Sequence, residues 1–393
     1  MKVLYVDATR GLYGASKMLL ALLQNLDPKQ VKPYVVLSND VDEGDVRLVH
    51  ALRALRIPTL QHPLAVFRRS KYLNSRGATY LLGSLVRSTR LLVRLIHRYK
   101  IDLVQTNTST ILSGALAARI AGVPHIYHVH EIFRASDARV FPPLLDALST
   151  RVVVISDASA HSILAHRPGL ARKLVTIRNG IDPAPYRSVT PDQVARLRHE
   201  MNIPPGDSVV GMVGRIGTWK GEENFIRVAK IVLNRVERVR FVIAGGTFDR
   251  RDHLLDDLRL KIDSEGLTGK VTVTGLRNDI PTLMNLFGVL LHLPARPEPF
   301  GLVITEAMAA GKPVVAWDTG ALSEIVEDGK TGWVAPNGDL DAAALYVTAL
   351  LTDPAQSASM GEAGSRRVDR HFSAAAHAEQ FETLYREIVA GTR

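Results

Sequence analysis

Short β-rich runs alternate with helical stretches from one end of this chain to the other, and few folds accommodate that alternation. Strands that each return through a helix pair in parallel, so the pattern reads as α/β with doubly wound parallel sheets. In the first half Lys2–Asp7, Pro33–Ser38, Leu103–Asn107, His125–His130, Val152–Ser156 and Lys173–Ile177 read as strands, and Ala15–Leu26 carries apolar residues at helical spacing. The turn-rich Asn179-Gly180-Ile181-Asp182-Pro183 reads as a hinge between domains. The pattern then restarts. Val209–Gly214, Phe241–Ala244, Val271–Thr274, Val289–Leu293 and Pro313–Trp317 are the strands of a second unit, with a helix over Glu223–Asn234.

A chain of 393 residues is too long for one ordinary core. The expectation is two Rossmann-like domains, residues 1–182 and 183–373, with the last helix, about 374–393, closing the first. Ligands would then sit at the carboxyl ends of the strands, in a cleft that both domains face. No internal repeat is visible.

The absence of cysteine excludes disulfides, thiolate catalysis and cysteine-based zinc sites. Met1-Lys2-Val3-Leu4-Tyr5-Val6-Asp7 reads directly as a buried strand, with no leader pattern, which points to the cytoplasm. Arginines interrupt the longest apolar stretch, Tyr80–His97, below the ~18 residues a membrane span needs. Charge is uneven: residues 1–185 hold 25 Lys and Arg against 12 acids, and the rest 24 against 27. Twelve bases and no acid lie between Asp45 and Asp102, a field suited to an anionic partner.

Two motifs in the second half carry chemistry. In Glu298-Pro299-Phe300-Gly301-Leu302-Val303-Ile304-Thr305-Glu306 one carboxylate sits in a turn and the other in a helix that stops at Gly311. A helix amino terminus near Gly301 would offer free N–H groups and a positive dipole end to a diphosphate. The two carboxylates could then accept hydrogen bonds from sugar and ribose hydroxyls. A surface turn before an amphipathic helix is the alternative. Upstream, Gly214-Arg215-Ile216-Gly217-Thr218-Trp219-Lys220-Gly221 follows a strand, and Arg215 and Lys220 would clamp a diphosphate. A solvated basic loop is the alternative there.

Together with the Asn-Gly-Ile-Asp hinge and Arg370-His371-Phe372-Ser373, these motifs resemble the retaining glycosyltransferases of family four, which have the two-Rossmann GT-B fold. The resemblance runs over nearly the whole chain, strongest from Val209 to Pro336 and weakest from Arg47 to Lys100. It implies that Arg215 and Lys220 bind the donor diphosphate, that Glu306 binds the ribose, and that Glu298 lies beside the transferred sugar. It also implies that the backbone of Phe300, Gly301 and Leu302 approaches sugar and phosphate, and that Gly275 to Asp279, with Asn278, contacts the base. His130, in Tyr127-His128-Val129-His130-Glu131, matches a histidine over the donor sugar, with Glu131 either orienting its ring or beginning the next helix; a structural histidine is the alternative for His130 and the reading for His128. A zinc site at His128 and His130 lacks further ligands at suitable spacing. The loop Gly11-Leu12-Tyr13-Gly14-Ala15-Ser16 departs from the family, where adjacent glycines are usual, although Gly14 still permits close backbone approach to the donor.

The implied reaction is metal-independent transfer of a hexose, with retention, from a nucleotide-sugar to a glycan or lipid-linked acceptor in cell-envelope polysaccharide or glycolipid synthesis. Same-face substitution is expected, with His130, Glu298, Arg215 and Lys220 at the reacting centre. No cofactor beyond the nucleotide-sugar co-substrate is implied. Phe67-Arg68-Arg69-Ser70-Lys71-Tyr72-Leu73 and the helix Tyr80–Arg98 suit the anionic inner face of a membrane. Such a helix also suits a core-facing role with solvated arginines. A nucleotide-sugar epimerase of related architecture is the competing enzyme class. A nucleic-acid-binding protein is the competing non-enzyme, although the basic stretch lacks interleaved aromatics and a reader module.

Overall fold

The computed structural model describes residues 1–40, 44–67, 75–217, 219–247 and 253–391. Arg68–Leu73 and Thr218 of the motifs above lie outside them. The chain forms two compact units, Met1–Gly180 with Ala374–Arg393, and Ile181–Ser373.

Seven parallel strands build the first unit: β1 (Lys2–Asp7), β2 (Lys32–Ser38), β3 (Thr59–His62), β4 (Leu103–Thr106), β5 (His125–Val129), β6 (Arg151–Val154) and β7 (Leu174–Thr176). Their order is β3-β2-β1-β4-β5-β6-β7. β1 lies inside the sheet and its two faces go to different cores, as the alternation of side chains along a strand requires. Val3 and Tyr5 pack with Leu19 and Leu22 of the helix Gly14–Asn25 and with Phe381 and Tyr385 of the helix Ala374–Ala390. Leu4 and Val6 pack with Leu92 and Ile96 of the helix Ser75–Tyr99. The last helix is tied in by polar contacts too. Tyr385 Oη donates to Gln105 Oε1 at 2.5 Å, and Glu382 accepts from the Asp27 N–H at 2.6 Å.

The helix Ser75–Tyr99 is core-facing at its carboxyl-terminal end, where Leu92 and Ile96 are buried. At its other end Tyr80, Leu82 and Val86 are exposed, beside Arg87, Arg90 and Arg94. Among the described residues no helix is long and apolar enough to cross a membrane.

The second unit has six parallel strands: β8 (Ser208–Val213), β9 (Val239–Ala244), β10 (Val271–Gly275), β11 (Val289–His292), β12 (Val314–Trp317) and β13 (Gly332–Ala335). Their order is β10-β9-β8-β11-β12-β13. β8 and β11 are adjacent although far apart in sequence, so the chain reverses its winding between them. That junction is where doubly wound sheets open a crevice beyond their carboxyl ends.

Candidate active site

Glycines at the ends of β8 and β9 set the ground plan of the second unit's site. A Cβ on Gly245 would lie 1.6 Å from the Gly214 carbonyl oxygen, so the two strand ends approach as only glycine allows. Gly221, at φ +91°, caps the helix Glu222–Leu233, and a Cβ there would lie 1.8 Å from the Leu293 carbonyl oxygen. The loop between is therefore pressed against the end of β11. Gly217 N–H donates to Glu222 Oε1 at 2.7 Å, and the Lys220 stem packs over Gly214.

Lys220 thereby reaches Glu298: Nζ lies 2.7 Å from Oε2. The ammonium also lies 4.0 Å from the centroid of the Trp219 ring. His292, the last residue of β11, places Nε2 3.4 Å from the same Oε2. Burial alone would raise the Glu298 carboxyl. The His292 hydrogen bond and the Lys220 charge outweigh it and pull the group down to about 2. Burial pushes the His292 imidazole below its ordinary value. Neutral His292 then donates from Nε2 to an ionised carboxylate. The backbone of Glu298 is equally fixed, because its carbonyl accepts from Ala321 N–H at 2.9 Å and Gly320 pairs alongside it as a parallel bridge.

Gly301, at φ +94°, caps the helix Leu302–Ala309, whose first amides lack partners within the helix. Phe300 is buried with its ring against Phe372 at 5.9 Å, so only its backbone could meet a ligand. Glu306 is buried on this helix, and the Tyr186 hydroxyl hydrogen-bonds to it. Burial and the Glu306 charge push the Tyr186 hydroxyl far above its ordinary value. Arg215 is exposed at the far end of its loop. Gly275, at φ +72°, ends the edge strand β10 and its carbonyl accepts from Gly245 N–H at 2.9 Å, while Asn278 is exposed beyond it. Lys220, Glu298 and His292 are thus brought together, while Arg215 and Asn278 are exposed.

In the first unit His130 lies just past β5 and is partly exposed. Its Nε2 is 3.2 Å from Asn107 Oδ1, and its ring centroid is 4.0 Å from that of His128. Burial, aided by His377, holds the imidazole down at about 3, so it is neutral at physiological pH. Glu131 does neither thing expected of it. Its Oε2 accepts from the His130 backbone N–H at 3.1 Å, and its Oε1 from Thr108 Oγ1 at 3.1 Å, within a loop that precedes the helix Ala135–Ala138. Gly14 opens the first helix and is exposed, with nothing within 4 Å of a Cβ built on it. Tyr13 turns its ring onto Gly11, where a Cβ would lie 2.5 Å from Cε2.

His292, Tyr186 and Asn107 escape a reading from sequence. His292 ends an apolar run and looks like strand core, and each of the three finds its partner only through the fold.

Two doubly wound parallel sheets, of seven and six strands, are the architecture of the GT-B glycosyltransferase fold. The model of glycosyl transferases group 1 matches residues 193–367, and that of glycosyltransferase family 4 matches residues 13–185. The chain belongs to the family-four glycosyltransferases. It is 29% identical over 311 residues to alpha-maltose-1-phosphate synthase of Mycobacterium tuberculosis, across 72% of this chain and 77% of that one. It is 28% identical over 217 residues to the lipopolysaccharide core biosynthesis mannosyltransferase LpcC of Rhizobium leguminosarum, across 55% and 60%. The crystal structure of Anabaena HepE in complex with UDP and glucose superposes with a TM-score of 0.82 at 27% identity, covering 98% of this chain and 99% of HepE.

Proposed function

We propose that this glycosyltransferase moves a hexosyl group from a nucleoside diphosphate sugar to a glycan or lipid-linked acceptor, with retention and without a metal ion, in cell-envelope polysaccharide or glycolipid synthesis. The observation that carries the reading is the buried Lys220–Glu298 pair, held at 2.7 Å next to the start of the helix Leu302–Ala309. Lys220, Arg215 and the first amides of that helix receive the diphosphate. Charge grows on the diphosphate as the anomeric C–O bond breaks, and fixed cations and amide dipoles stabilise that charge most in the transition state. Glu298 accepts hydrogen bonds from the sugar, and Glu306, now held by Tyr186, accepts them from the ribose. Gly275 and Asn278 contact the base, and Gly14 offers backbone to the donor. The UDP and glucose bound to HepE support a donor of this kind.

Same-face substitution fits the electrostatics better than a covalent glycosyl-enzyme. A carboxylate held near 2, with one oxygen engaged by both Lys220 and His292, is a weak nucleophile and a good hydrogen-bond acceptor. The acceptor hydroxyl forms the new bond to the anomeric carbon while its proton passes to the departing diphosphate oxygen. His130 contributes a neutral polar contact to the sugar. The exposed Tyr80, Leu82 and Val86, flanked by Arg87, Arg90 and Arg94, support docking on the anionic inner surface of a membrane from the cytoplasm.

The test is a melting screen with UDP, GDP, ADP and their sugars, followed by turnover with EDTA present and NMR assignment of the product anomer. A raised melting temperature with one diphosphate series, and product of unchanged configuration, is expected. No shift with any of them and no release of diphosphate would rule the proposal out.

A further inference from the structure

Asn107, just past the end of β4, has no part in the proposed chemistry. Its Nδ2 donates to Asp7 Oδ2 at 2.7 Å and to the Ala15 carbonyl at 3.3 Å. A backbone carbonyl can only accept, so the amide nitrogen has to face Ala15 and the orientation of the side chain is settled. Its Oδ1 then faces two imidazoles, His128 Nδ1 at 3.1 Å and His130 Nε2 at 3.2 Å. An amide oxygen has no proton to give, and both ring nitrogens must donate to it.

We infer that Asn107 is a positioning residue for His130, holding its imidazole as the Nε2–H tautomer so that a bare Nδ1 serves as the acceptor for a hydroxyl of the sugar substrate. The ligand named here rests on the transferase reading; the tautomer does not. Two restraints converge on the ring, Asn107 on Nε2 and the face of His128, while Glu131 holds the backbone N–H of the same residue. His128 takes the opposite tautomer, Nδ1–H. Its buried Nε2 has no hydrogen-bond partner among the described residues, which suits a lone pair better than an N–H. His377 follows the same logic, donating from Nδ1 to the Arg178 carbonyl at 2.8 Å. The charged and titratable groups around His130 are Asp7 on β1 (through Asn107), His128 on β5, Glu131 after it, and His377 on the last helix. An aspartate at 107 could not donate to Ala15, and it would set a second carboxylate beside Asp7 that favours a proton on the neighbouring imidazoles.

The experiment is ring 15N–1H correlation of the full chain labelled with 15N-histidine, without donor, at pH 7, with His130 assigned by its absence in His130→Gln. The wild-type ring should be singly protonated at Nε2. In Asn107→Ala it should become a mixture of tautomers, and kcat should fall on the order of 100-fold with donor KM within about twofold, as expected when geometry rather than ground-state binding is lost. In Asn107→Asp the ring should take up its second proton at higher pH than in wild type. A wild-type ring protonated at Nδ1, or at both nitrogens, overturns the inference with no variant needed. So does an unchanged tautomer, or an unchanged kcat, in Asn107→Ala. Failure of the wild-type protein to turn over any nucleotide-sugar would count against the transferase reading instead and would leave the tautomer result standing.

Discussion

Lys220 Nζ and Glu298 Oε2 form a 2.7 Å ion pair whose side chains are only 15% and 8% exposed. A buried pair of this kind is costly to assemble and costlier to break from one side, because the remaining charge is left without its partner. In the free protein Lys220 therefore already has an anion, and an incoming diphosphate shares or replaces it. Lys220→Ala should lower kcat by about 10²–10³-fold, the usual loss for one preorganised donor to a developing anion. It should also destabilise the second unit by about 3 kcal/mol, moderated by the His292 contact that remains. Turnover within a few-fold of wild type would remove Lys220 from the chemistry.

Acid should expose the same pair. The Glu298 carboxyl falls from 4.5 to about 2 on folding, so the ionised form stabilises the fold above pH 4.5. That contribution, about 3 kcal/mol for a shift of this size, is lost as pH falls towards 2. Glu298→Gln has no such proton to gain. Denaturant titrations of both proteins between pH 6 and 2.5 should show the stability gap narrowing as pH drops. A constant gap would mean that the carboxylate is not held down by its neighbours.

Gly221 should not tolerate a methyl group. It combines φ +91° with a carbonyl oxygen 1.8 Å from the position of a Cβ. Gly221→Ala should cost several kcal/mol, more than the ~1 kcal/mol of backbone preference alone, because the Leu293 backbone has to move. Donor affinity should fall with it, since Lys220 is the preceding residue. Equal melting temperatures for the two proteins would show that the loop is not pressed against β11.

Much of this was legible in the sequence, and the exceptions have physical causes. The strands buried on both faces, such as β1 and β8, announce themselves as continuous apolar runs. The edge strands β3 (Thr59–His62) and β13 (Gly332–Ala335) do not, because an edge strand of four mixed residues carries neither a run nor a clear alternation. Lys220 and Glu298 could be placed at the site because each sits in a glycine-marked turn. His292 could not, for it joins them from the end of a core strand, and Asn107 reads only as the last residue of a strand. The apolar positions of the helix Ser75–Tyr99 were visible, but which of them face the core was not. Leu92 and Ile96 do, leaving Tyr80, Leu82 and Val86 outside.

That distinction makes the membrane proposal specific. Sedimentation with vesicles containing anionic lipid should exceed that with neutral vesicles and weaken with salt, each near-surface arginine adding about 1 kcal/mol. Arg87→Gln with Arg90→Gln and Arg94→Gln should abolish the preference, and Leu82→Ser with Val86→Ser should weaken binding at high salt, where the apolar term is what remains. Equal sedimentation with both vesicle types would dispose of the proposal.

The central claim is that a diphosphate lodges between the Lys220 loop and the start of the helix Leu302–Ala309. A crystal structure of the protein with the nucleoside diphosphate that most raises its melting temperature tests this directly. The β-phosphate should lie within hydrogen-bond distance of Lys220 Nζ and of a backbone N–H at the start of that helix, with the ribose at Glu306. A diphosphate bound elsewhere, with Lys220 and Glu298 still paired and untouched, would contradict it.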